Sequence, residues 1–314
     1  MNLKDTANKD SLLKRKDYTL KRLDSFMLKG INSDAEAEYK KAANLVYWVC
    51  DYIKYIEQKE FFEPKKMIKY QRGQIIKVNL GFNVGREEGG LRYAIILDKN
   101  NSQASDVVTI IPLTSVKFNK DNKIKNLHGK YDVLLGEHLF DVVLEKHNEY
   151  YNDTKGILES MQLDIVEARK MRDTYFKSIG EKIKRKHIYT TYKNNFDGVS
   201  FNLKNMNKNS KVQLLLRIEH LVGSKELRIR YKNIMSKLLE TKQTCDDNMV
   251  LLKKTTEELK KMNKGTIALA GQITTVSKQR IYYPKYLGDV LANLRLPKES
   301  MELIAKKIKE LYVF

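Results

Sequence analysis

Cysteine is scarce in this chain of 314 residues, with only Cys50 and Cys245 present. The two stand too far apart to form a metal knuckle, and two thiols are no disulfide framework in a protein of this size. Histidine is scarce as well. His128, His138, His147, His187 and His220 share no metal-ligand spacing with each other or with the cysteines, so neither a metal site nor a cofactor is expected. Long apolar runs are missing: no stretch approaches the roughly 18 to 20 apolar residues that span a bilayer. The opening MNLKDTANKDSLLKRK has no apolar core of signal-peptide length. Secretion and membrane insertion are therefore not expected, and a reduced cytoplasm is the expected compartment.

Acidic residues are also in deficit. The 39 Asp and Glu face 59 Lys and Arg, a net charge of +20. Such a balance favours polyanionic partners: nucleic acid, an anionic surface or an acidic protein. Hydrophobic residues make up 42% of the chain, ordinary for a globular protein and enough for one substantial core or several smaller ones.

Three kinds of sequence follow one another. Residues 1–65 are polar and then periodic. Ala35, Ala42, Leu45, Val46, Val49, Tyr52, Ile53 and Ile56 recur at spacings of three, four and seven, which predicts one amphipathic helix. Asn32, Ser33 and Asp34 offer caps at its start, Pro64 marks its end, and Trp48 lies on or near its apolar stripe in a packing role. From Ile68 the pattern changes to short apolar runs between glycine and polar turns, at residues 75–80, 93–97, 107–113 and 131–135. These predict strands, and their spacing without intervening helices predicts a small antiparallel barrel or strongly bent sheet.

Residues 145–186 and 210–262 are charged with helical periodicity, and HIYTTYKNNFDGVSFNL between them predicts a hairpin about Asp197 and Gly198. Residues 146–262 hold 25 Lys and Arg against 15 Asp and Glu, a local charge of +10. Strand character returns in residues 265–281, and PKESMELIAKKIKELYVF closes the chain as an amphipathic helix.

The stretch RGQIIKVNLGFNVGREEGGLRYAIIL together with VVTIIPLTS resembles the MazF/PemK family of toxin endoribonucleases. That family shows a strand start of Arg-Gly-Asp type, a glycine-rich loop ending in arginine, and a strand ending in Pro-x-Thr-Ser or similar. Residues 265–281 resemble its later strand and LPKESMELIAKKIKELY its closing helix. The resemblance implies an α+β fold: a small antiparallel MazF/PemK-like (SH3-like) β-barrel, residues 66–143 and 263–314, interrupted by a basic helical insertion, residues 144–262, and preceded by a helical extension, residues 1–65. It also implies a homodimer with an RNA groove at its interface, single-stranded RNA such as mRNA as substrate, and a cognate antitoxin protein as inhibitor.

The residues of the loop suit that chemistry. Glycines 85, 89 and 90 permit a bent loop that backbone or phosphate can approach closely. Arginine can donate two parallel hydrogen bonds to phosphate oxygens. The 2'-hydroxyl of RNA can attack the adjacent phosphorus without metal, if the protein aligns it, moves protons and stabilises charge. On this reading Arg92 stabilises the transition state, Thr114 adds a neutral hydrogen bond and Glu87 is the candidate base. Arg86, Ser115, Lys117 and Gln272 are the expected RNA-binding residues. Two departures stand out: Tyr93 follows the loop arginine where relatives have proline, and Gly271 stands before Gln272 where they commonly carry an acid. The second reading is a catalytically silent nucleic-acid or protein-binding module on the same barrel.

Overall fold

Period-two alternation of β-branched residues builds the sheet. In the computed structural model, which describes residues 6–178 and 225–313, the strands are β1 (Ile75–Asn79), β2 (Leu91–Ile96), β3 (Val107–Ser115), β4 (Val133–Gly136), β5 (Thr266–Ala268), β6 (Thr274–Ser277) and β7 (Ile281–Tyr283). The described helices are α1 (Lys9–Ile31), α2 (Glu36–Glu57), α3 (His138–Ser178), α4 (Lys225–Lys261) and α5 (Lys298–Tyr312). The hairpin expected at residues 187–203, and the first part of the helix expected from 210, lie outside the described residues.

All described pairings are antiparallel, in the order β4-β5-β3-β2-β1-β7. Strand β3 organises the sheet: its middle pairs with β2 on one side, while β6 and then β5 line its other side. A 3-10 turn, Ala270–Gln272, makes the corner between β5 and β6. Edges β4 and β7 do not meet, so the expected barrel is an open, seven-stranded sheet.

Alternation divides the apolar side chains between two faces. Ile75, Ile95, Ile111 and Leu113 join Leu139 and Val143 of α3 and Ile304 of α5 in one core. Ile76, Val78, Ala94, Ile96, Val108 and Ile110 join Met67, Tyr70, Val276 and Ile281 in the other. Helix α3 starts at residue 138, ahead of the expected 145, because Leu139 and Val143 already share one buried helical face.

The single helix expected in residues 1–65 is two. Helix α2 matches the periodic stretch, with the Ser33 hydroxyl accepting the Ala35 N–H at 3.2 Å before it, and it ends at Glu57, ahead of Pro64. Helix α1 went unforeseen because its apolar residues mark no buried stripe: Leu12, Leu13, Leu20, Phe26 and Leu28 are all exposed.

The chain divides into two compact units, residues 1–146 with 255–314, and residues 147–254. The N-terminal helices thus group with the sheet. In the second unit the apolar cluster of Ala168, Tyr231, Ile234, Met235 and Leu238 joins α3 to α4. Ion pairs Asp164–Lys237 at 2.8 Å and Glu167–Arg230 at 3.2 Å run in opposite sequence directions, so these helix segments are antiparallel.

Helix α2 is seated against the root of the β1–β2 loop. The Trp48 ring lies against Gly81, and Arg280 stands over that ring, 5.2 Å from its centroid. Asp51 accepts a hydrogen bond from the Asn79 side chain at 3.0 Å, while the Asn79 carbonyl accepts from Arg280 Nε at 2.8 Å. Gly81 has φ +89°, and a Cβ there would come within 2.7 Å of the indole. Gly81→Ala is expected to cost about 2 kcal/mol or more, from left-handed strain and overpacking together. Urea unfolding checks this, and adding Trp48→Ala should relieve the clash part of the loss. A Gly81→Ala protein as stable as wild type would contradict the packing of α2 on this loop.

Candidate functional site

The loop from Leu80 to Leu91 is closed at its root by two backbone bonds, Leu80 N–H to Gly90 O at 2.8 Å and Gly90 N–H to Gly81 O at 2.7 Å. Gly85 and Gly90 take φ of +67° and +72°, conformations that a side chain would strain. Asn83 donates to the Glu88 carbonyl at 2.6 Å, folding the tip back on itself.

Arg92 follows on β2, paired directly with Val78 of β1. Its Nε donates to Glu88 Oε2 at 3.3 Å, and Nη1 makes a long 3.5 Å contact with the Leu91 carbonyl. The Arg92 side chain is 43% exposed and that of Glu88 19%. The outer end of the guanidinium therefore faces solvent while Glu88 orients the inner end. Glu87 sits one residue earlier on the exposed rim, its N–H bonded to the Val84 carbonyl at 3.3 Å. Among the described residues its carboxylate has no ion-pair partner, so the acid beside Arg92 is Glu88, which sequence reasoning did not single out.

Thr114 lies near the end of β3, where the strand changes partner: the β2–β3 ladder runs from Ile96–Ile110 to Ala94–Pro112, and Thr114 then pairs with Ile267 of β5. Alternation from the Ala94–Pro112 pair puts the Arg92 and Thr114 side chains on the same side of their strands, Arg92 exposed and Thr114 half-exposed. By the same alternation the Ser115 side chain turns to the other side, and its carbonyl accepts from Asn126 at 2.9 Å. Lys117 is exposed just after β3, at the start of the loop to β4, held by bonds to the Asn126 side chain and to Lys125 N–H.

Gln272 does join the loop, in a manner that spacing could not convey. Its Oε1 accepts the Glu88 N–H at 2.7 Å and its Nε2 donates to the Arg86 carbonyl at 3.3 Å. Both ends of the amide grip the loop backbone, so Gln272 clasps the segment that presents Arg92. Arg86 lends its carbonyl to this clasp and leaves its side chain on the exposed rim.

Behind Arg92, on the opposite face of β2, lies a buried polar cluster. Lys77 pairs across the strands with both Tyr93 and Tyr283, and its Nζ lies 4.9 Å and 5.3 Å from their ring centroids. Glu258 of α4 accepts from Lys77 at 3.1 Å and from the Tyr93 hydroxyl. Burial pushes the Glu258 carboxyl up, but hydrogen bonding from Tyr283 and Tyr93 and the charge of Lys77 outweigh it, so the group is held below the usual carboxylate range. Burial and the bond to Glu258 raise both phenols. The Tyr93 departure at the loop's exit is thereby explained: its phenol caps a buried carboxylate. Among the described residues no group of three or more His, Cys, Asp or Glu side chains is placed to hold a metal ion, and no helix is long and apolar enough to cross a membrane.

No curated protein matches the chain. Residues 71–175 match the family described as PemK-like, MazF-like toxin of type II toxin-antitoxin system, a segment that contains the loop, strands β1 to β4 and most of α3. That segment, which carries Arg92 and the loop that Gln272 clasps, is about a third of the chain, and over it the chain is similar to the PemK-like, MazF-like toxins of type II toxin-antitoxin systems.

Proposed function

We propose that this protein is a toxin endoribonuclease that cleaves single-stranded RNA at selected sites through attack of the 2'-hydroxyl on the neighbouring phosphate, without metal. The observation that carries the proposal is a solvent-facing arginine, oriented by Glu88, at the exit of a clasped loop that holds two acids. Arg92 would hold the phosphate oxygens, with Glu88 orienting its guanidinium, and Thr114 would add a neutral donor. Glu87, with its unengaged carboxylate, would take the proton from the attacking hydroxyl. Unpaired RNA fits because a flexible backbone lets that hydroxyl come into line, whereas a duplex holds it away. A cognate antitoxin with an acidic segment would compete for the same arginine, and a homodimer would complete the groove, with the toxin acting in the cytoplasm.

The two acids separate experimentally. Glu87→Gln is expected to lower the maximal cleavage rate about 10²- to 10⁴-fold while RNA binding is kept. Glu88→Gln is expected to weaken Arg92 positioning, with a smaller rate loss and weaker RNA binding. Single-turnover cleavage of a labelled oligonucleotide, set beside binding of the same strand, distinguishes them. The reverse pattern would make Glu88 the base, and two inactive proteins that still bind RNA would leave the base unassigned to either. Equal rates in all three would remove both acids from the chemistry.

A further inference from the structure

Tyr131 is packed against the same turn that clasps the loop. A Cβ added to Gly271 would lie 3.1 Å from Tyr131 Cβ and 3.6 Å from Cγ and Cδ1, so the tyrosine stands where a side chain at 271 would otherwise project. Gly271 N–H donates to the Tyr131 carbonyl at 3.0 Å, fixing the two backbones together. The next residue is Gln272, bonded to the loop that leads to Arg92. The tyrosine and the arginine are therefore linked through one continuous set of short contacts.

A tyrosine placed for packing buries its ring and bonds its hydroxyl. Tyr131 is 47% exposed, and among the described residues its hydroxyl has no hydrogen-bond partner. The Lys130 ammonium lies 5.4 Å from the ring centroid. The surrounding β3–β4 loop, residues 116–132, carries five lysines, all exposed, against Asp121 and Asp132. Asp132 is buried and accepts the His128 N–H at 2.9 Å, so its charge is turned inward. An open aromatic face amid exposed ammonium groups is the combination that receives an unpaired base and its phosphate.

We infer that Tyr131 is a stacking platform for one unpaired base of the RNA strand held at Arg92, with Lys130 against an adjacent phosphate, and that it helps to select the cleaved sequence. The inference rests on the ribonuclease reading for the identity of the strand, but its binding test does not require cleavage.

The experiment uses the full chain as wild type, Tyr131→Phe, Tyr131→Leu and Tyr131→Ala. Each is titrated with single-stranded oligoribonucleotides carrying 2-aminopurine at successive positions, and cleavage of the same strands is followed in parallel. Stacking predicts that one position is quenched by wild type and Tyr131→Phe and not by Tyr131→Leu or Tyr131→Ala. It also predicts an affinity loss of roughly tenfold or more in the last two. Tyr131→Leu keeps apolar bulk against Gly271, so loss there reports the missing aromatic face and not a collapsed turn. Cleavage with unchanged affinity and quenching in all variants would overturn the platform and leave the nuclease reading standing. Tyrosine-dependent quenching without cleavage would sustain the platform and sink the nuclease reading. Absence of RNA binding by wild type would overturn the platform.

Discussion

Arg92→Ala is expected to lower the single-turnover cleavage rate by about 10²- to 10³-fold, the usual loss when a donor aimed at developing charge is removed. The fold should survive. The Arg92–Glu88 pair is partly exposed, and pairs of that kind contribute about 0–1 kcal/mol. Substrate affinity should fall less than the rate, because charge on the phosphate oxygens rises on the way to the transition state and the arginine interacts most strongly there. Arg92→Lys keeps the charge and loses the planar fork, so an intermediate rate is expected. Rates at saturating RNA, set beside urea unfolding of the same proteins, test this. Cleavage by Arg92→Ala at the wild-type rate would remove the residue from the chemistry, and a destabilised Arg92→Ala would move its role to the loop's architecture.

Glu258→Ala is expected to cost about 3–5 kcal/mol of stability, the largest loss foreseen for a single substitution in this chain. Lys77 and Glu258 side chains are 13% and 8% exposed, so removing the carboxylate strands an ammonium between two tyrosines and leaves the Tyr93 phenol without its acceptor. Replacing both charges, Lys77→Met with Glu258→Leu, should recover much of the loss, because the buried pair offsets its own desolvation only while both partners remain. The carboxyl is held below its ordinary value, so its contribution is complete above the unfolded-state value of about 4.3. It is lost as pH falls through the lower folded-state value. Wild type should therefore lose stability more steeply than Glu258→Gln in that acid window. Urea unfolding at pH 7 and across pH 2–5 measures both effects. Equal stability of wild type and Glu258→Ala would show that the cluster contributes nothing to holding residues 255–261 at the end of α4 on the sheet.

The sheet was legible where the alternation is strict. Ile75, Ile76 and Val78 of β1, and Ile95 and Ile96 of β2, declare strands by β-branching, and the glycines between them declare the connecting loop. The openness of the sheet was not legible, since closure depends on whether β4 and β7 meet, and neither strand carries a signal for its edge partner. Helix α1 escaped because periodicity reveals a helix by the face it buries, and Leu12, Leu13 and Leu20 bury none. Within the candidate site, Arg92 and Thr114 could be named from their motif, and alternation from the Ala94–Pro112 pair puts them on the same side of their strands. Ser115 shows the limit of adjacency: being next to Thr114 in a strand places it on the other side. Gln272 and Glu258 act on residues more than 160 positions away, the amide on Glu88 and the carboxylate on Tyr93. Only folding reveals such partners. Gly271 reads in sequence as a missing acid, while in the fold it is the space that Tyr131 fills.

The most direct test of the ribonuclease proposal is end-group mapping of fragments from a long single-stranded RNA incubated with the purified full chain in excess EDTA. The account predicts discrete fragments with 5'-hydroxyl ends and cyclic phosphates opposite them, and no cut where the attacking 2'-hydroxyl is replaced by hydrogen. Fragments with 5'-phosphate ends, or cleavage that survives 2'-deoxy substitution, would contradict attack by the RNA's own hydroxyl. RNA that is bound yet intact would mark the domain as a nucleic-acid-binding module on the same sheet.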